Sequence, residues 1–155
     1  MDKEEIKAIA NKIAQYRGVI VHDSISIEAL IGAIIAIYFV SDTKNNEFNR
    51  KVIDDEYFSL GLKIRILEKL KLETYKEFFE DIRRINNIRN IFAHKVPTLD
   101  EGFISQDFKE EKTETKHMSE LHGEFLEKIK KVDEQLEKIF SKLVEDRKKE
   151  IKDEK

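Results

Sequence analysis

A chain of 155 residues is long enough for one domain with a substantial core. Charged residues make up 39% and hydrophobic residues 40%, and the formal net charge is -3, which argues against a broadly basic nucleic-acid binder and leaves room for a local basic patch. With no cysteine, neither disulfides nor thiolate metal sites can form.

The opening MDKEEIKAIANK places acids first and has no apolar h-region, so it does not read as a signal peptide and the expected compartment is the cytoplasm. Residues 3–16 predict an amphipathic helix with Ile6, Ile9, Ala10, Ile13 and Tyr16 on one side. The stretch from Ile6 to His22 has no acid and carries Lys7, Lys12 and Arg17. Gly18 is expected to break this helix, and Asp23 or Ser24 to cap the next.

Residues 25–41 are the most apolar run. It falls short of the ~20 residues that span a bilayer and contains Glu28, so a core helix is expected and no membrane contact. Glu28 is expected in a first turn, where an acid suits the helix dipole, and a buried pair with Lys63 is the alternative role. Asp42 to Asn49 is a polar connection, and residues 51–70 predict a helix. Thr74-Tyr75-Lys76-Glu77 has the form of a capping box that opens the next helix, expected to run to His94.

That helix carries IRRINNIRNIFAHKV (82–96). No acid occurs from Ile82 to Leu99. Phe78, Ile82, Ile85, Ile88 and Phe92 recur at helical spacing. The string Arg89-Asn90-Ile91-Phe92-Ala93-His94 is an Arg-x4-His pattern. At about 100° per residue, Asn90 and His94 share a face with Arg83 and Asn87, and Arg89 lies off that line. Arginine grips phosphate with a planar fork, and histidine exchanges a proton near neutral pH. The plain alternative is a helix end: Val96 precedes Pro97, and basic residues suit a last turn.

Residues 97–116 predict a polar loop or small hairpin, with Phe103, Ile104 and Phe108 as anchors and a solvated, mobile KEEKTETK at 109–116. A long helix is expected from His117, with a coiled-coil-like seam of Phe125, Ile129, Val132, Leu136, Ile139 and Leu143 that packs on its own domain or on a second subunit. Residues 145–155 are expected to fray. His117 and His122, five apart, point different ways on one helix, so no metal site is expected there, and no cofactor motif is present.

The string IRNIFAH, late on a helix of an all-helical chain, resembles the HEPN superfamily. Phe58-Ser59-Leu60-Gly61-Leu62-Lys63-Ile64 followed by Arg89 to His94 is similar to its mannitol-operon-repressor (MtlR-like) branch. The resemblance covers residues 20–96. It implies an all-α bundle of about five helices in one domain over 1–155, with a long C-terminal helix. It also implies a metal-independent endoribonuclease that cuts single-stranded RNA in a toxin or defence role. Arg89, His94 and Asn90 would be catalytic, with Arg83, Asn86, Asn87 and Lys95 binding RNA. The expected assembly is a homodimer through the motif helix, with an antitoxin or regulatory protein as partner. The branch implies the alternative, a non-catalytic regulator or adaptor. Toxins of the superfamily often carry tyrosine two residues after the histidine; here that position is Val96, so control by tyrosine modification is not expected.

Overall fold

A computed structural model of the chain describes residues 2–40, 42–55, 58–95, 102–106 and 113–153. It is an all-α bundle with one hairpin: α1 (Lys3–Phe39), α2 (Asp42–Phe48), a π-helical turn (Asn49–Ile53), α3 (Leu60–Lys69), α4 (Phe78–His94), β1 (Gly102–Gln106), β2 (Thr113–His117) and α5 (Met118–Asp153). The expected all-α fold is what forms.

Helix α1 is continuous where a break was expected at Gly18. A helical glycine costs about 1 kcal/mol against alanine. Burial of Ile20 alone returns about 2 kcal/mol, and Tyr16, on the other side of Gly18, stacks on His122 of α5. Ser24 caps nothing: it is buried and its hydroxyl donates to the Ile20 carbonyl one turn back, at 2.6 Å. The true N-cap is Asp2, whose carboxylate accepts from the amides of Glu4 and Glu5 while Glu5 accepts from the Asp2 amide. The helix passes a length-and-hydropathy test for crossing a bilayer, but its apolar face is spent on the core, where Ile20, Ile27, Ile31, Ile34 and Ile35 are buried.

The polar stretch after α1 is helical, and the expected helix over 51–70 begins only at Leu60. Ser59 caps it by accepting from the Leu62 amide. Ahead of it the π-helical turn presses Ile53 onto Gly32 of α1; a Cβ at Gly32 would lie 2.7 Å from Ile53 Cγ2, so glycine is required by this close approach. The Thr74–Glu77 box does not form, and α4 starts at Phe78 with no side-chain cap. Tyr75 instead packs edge-on against Phe78 and donates to Asp81 at 3.0 Å. Lys128 of α5 also donates to Asp81, at 2.6 Å. Burial alone would raise the Asp81 carboxyl, but these two hydrogen bonds, together with the charges of Lys128 and Lys131, hold the group below its usual range. Burial first, then Asp81, pushes the Tyr75 phenol well up.

The seam of α5 packs within its own chain: Phe125, Val132, Leu136 and Ile139 are buried, with Ile129 and Leu143 partly so. Paired contacts set the directions. Tyr16 meets His122, and Arg147 donates to the Ile37 carbonyl, so α1 and α5 run parallel. Arg84 meets Glu124 and Asp81 meets Lys128, so α4 runs antiparallel to α5. The hairpin pairs Gly102 with His117 and Gln106 with Thr113. Thr113–Lys116 is therefore strand rather than mobile chain, while Phe108 lies outside the described residues. Residues 145–153 are helical rather than frayed, and Arg147 holds the end of α1 through the carbonyls of Ile37 and Tyr38.

Candidate functional site

The solvent face of α4 is built from the spacing of its residues. Its buried stripe (Phe78, Ile82, Ile85, Ile88, Phe92) faces the core and leaves Arg83, Asn87, Asn90 and His94 exposed along the opposite side. These are the four residues whose spacing predicts a common face. His94 occupies the last helical turn, with Lys95 as C-cap donating its amide to the Ile91 carbonyl. Among the described residues His94 and Asn90 have no hydrogen-bond partner, so both are available to a ligand or a second chain.

Arg89 goes elsewhere. It lies five positions before His94, about 140° round the helix, so the two point to different sides. Arg89 reaches a cleft of about 400 Å³ lined by Glu28 of α1, Asp54 and Asp55, and Phe58, Ser59 and Lys63 at the start of α3. Lys63 is only 4% exposed, and its ammonium donates to Glu28 at 3.0 Å. Arg89 approaches the other Glu28 oxygen at 3.9 Å. The Glu28–Lys63 pair, the alternative role for Glu28, is therefore present, and Glu28 lies mid-helix rather than in a first turn. Phe58, Ser59 and Lys63 thus share one cleft with Arg89, while His94 lies outside it. Three carboxylates against two cations leave the cleft acidic.

The other cations of α4 are answered by acids from neighbouring elements. Arg83 pairs with Glu68 of α3, and Arg84 makes a two-point contact with Glu124 of α5 at 2.7 and 2.8 Å. Asn86 is half-buried beside Gly61. The acid-free composition of 82–95 thus overstates how basic this surface is, because the compensating carboxylates are remote in sequence. What sequence reasoning missed is the far side of the helix end. Arg17 of α1 donates to the Lys95 carbonyl at 2.9 Å, and its Nε is buried without a hydrogen-bond partner among the described residues. Next to it His122 stacks on Tyr16 with ring centroids 4.2 Å apart. Burial holds this imidazole below its ordinary range, against the opposing pull of Asp23. The only sequence signal for this neighbourhood was a second acid-free stretch at 6–22.

His117 bonds Ser119 while His122 stacks on Tyr16, so the two histidines serve different contacts. No known protein family, characterised protein or solved structure matches the chain.

Proposed function

We propose that the chain is a metal-independent endoribonuclease of HEPN type, working as a homodimer that brings two copies of α4 together. The observation that carries this reading is the open stripe of Arg83, Asn87, Asn90 and His94, which ends in a histidine with no partner among the described residues. RNA supplies its own nucleophile. One His94 would take the 2′-OH proton as the 2′-oxygen bonds to phosphorus. The second copy's His94 would protonate the 5′-oxygen as its bond to phosphorus breaks. Arg89 would answer the charge on the phosphorane oxygens, and Asn90 would orient His94 or a phosphate oxygen. Asn86, Asn87 and Lys95 would hold the flanking strand.

One chain offers one motif histidine, and its Arg89 points away from it. A two-fold axis beside α4 presents the same patch twice and so supplies the second histidine. The expected setting is a toxin or defence system in the cytoplasm, with an antitoxin or regulatory protein masking the face. The test is incubation of pure protein with single-stranded RNA and DNA in EDTA. RNA alone should be cut, and His94→Ala should abolish cleavage without lowering the melting temperature by more than a few degrees. A requirement for magnesium, or full activity in His94→Ala, would reject the reading.

One observation favours a second reading. Arg89 is engaged by Glu28 in an acidic cleft, as expected of a structural network in an MtlR-like regulator that acts through a protein partner. No RNA cleavage at any protein concentration would favour it.

A further inference from the structure

The fold joins the two acid-free stretches of the sequence. Residues 6–22 lie on α1 and residues 82–95 on α4, and the Arg17 bond to the Lys95 carbonyl puts them side by side at the end that carries His94. Their charges are treated differently. Each arginine of α4 has a carboxylate near it, from Glu68, Glu124 or Glu28. Among the described residues, Lys7 and Arg17 have none. The acids of this half of α1 are confined to its first turn, where Asp2 and Glu5 are spent on backbone amides. No described residue before Ile20 is fully buried: Ile13 and Tyr16 pack in part against the core, while Lys7 is exposed and Arg17 half-buried. Lys7 and Arg17 are about 15 Å apart along the helix axis. Beside Arg17 lies the stacked Tyr16–His122 pair. Unneutralised cations next to flat aromatic rings are the combination used by grooves that hold single-stranded nucleic acid.

We propose that single-stranded RNA leaving the His94 face runs along the N-terminal half of α1, its phosphates meeting Arg17 and Lys7. The inference rests on the ribonuclease reading and extends the substrate surface beyond the motif helix. An anionic bilayer is the competing occupant, since Ile6 is 48% exposed beside Lys7. The join to the helix end that carries His94 favours RNA.

The experiment uses the His94→Ala chain, which should bind RNA without cutting it. Binding of a fluorescently labelled single-stranded RNA is read by anisotropy over a range of salt in EDTA. Lys7→Glu and Arg17→Gln, each in this background, should raise Kd about three- to tenfold at about 50 mM salt. Each should also lower the slope of log Kd against log salt by about 0.7 for every phosphate that is no longer neutralised. Lys148→Glu, near the far end of α5, should change neither. Should Arg17→Gln fail to fold by circular dichroism, Lys7→Glu on its exposed surface decides. If the background binds RNA and both variants match Lys148→Glu, the inference is overturned while the ribonuclease reading stands on its own cleavage assay. Absence of RNA binding, with or without binding to phosphatidylserine vesicles, also overturns it, and vesicle binding would mark the arm as a membrane surface.

Discussion

Replacing Glu28 by glutamine removes the counter-charge of a lysine that is 4% exposed. At 3.0 Å the gross attraction between Lys63 and Glu28 is about 5 kcal/mol at an effective dielectric constant of about 20. Most of that is offset by the desolvation both groups already bear. The glutamine oxygen still accepts from the ammonium, so what is lost is charge rather than a hydrogen bond, at a cost of about 2–3 kcal/mol. Arg89, 3.9 Å away and partly exposed, adds less than about 1 kcal/mol. A loss near 3 kcal/mol should lower the melting temperature of a domain this size by about 8 °C. It should lower the urea midpoint by about 1.5 M. The chain has no tryptophan, so the transition is followed by circular dichroism at the helical minimum. The double variant Glu28→Gln/Lys63→Met leaves no buried ammonium and should recover at least half the loss. An unchanged midpoint in Glu28→Gln, or a double variant as unstable as the sum of the singles, would refute the reasoning that this pair is a coupled buried charge system.

Gly32→Ala should destabilise by about 1–2 kcal/mol despite alanine's better helix propensity, because the new methyl overlaps the buried Ile53; a more stable variant in urea would contradict this. The depressed His122 imidazole binds a proton less tightly than the unfolded chain does, so its contribution is fully present above its unfolded value of 6.5 and is lost as pH falls below that; His122→Phe should flatten the fall in melting temperature between pH 7 and pH 5, and an unchanged slope would refute it. Mixing inactive Arg89→Ala chains with inactive His94→Ala chains should restore only a small part of the RNA cleavage, since a heterodimer regains one arginine but keeps one of the two histidines, so one proton transfer goes uncatalysed; a monomer by light scattering would remove the two-fold model.

The helical face pattern was legible because period is local: Phe78, Ile82, Ile85, Ile88 and Phe92 are buried, and Arg83, Asn87, Asn90 and His94 are outside, as their spacing requires. The end of α4 was legible from the proline that follows Val96. Boundaries that depend on tertiary contacts were not. Gly18 reads as a breaker until Tyr16 and Ile20 on either side of it are seen to pack on the bundle. The capping box at Thr74 gives way to the Tyr75–Asp81–Lys128 cluster, whose lysine lies on a helix remote in sequence. The same reason hid the true charge of the site: Glu68, Glu124 and Glu28 neutralise a run that reads as basic, while Arg17, far away in sequence, comes to lie beside the residue after His94.

The chemical identity of the cut ends tests the account most directly. Mass spectrometry of RNA fragments made by the wild-type chain in EDTA should find 2′,3′-cyclic phosphates facing 5′-hydroxyls, and none of these ends with His94→Ala. Fragments carrying 5′-phosphates and 3′-hydroxyls would mean that water, not the 2′-oxygen, attacked, and would contradict the assignment of His94 as base and acid.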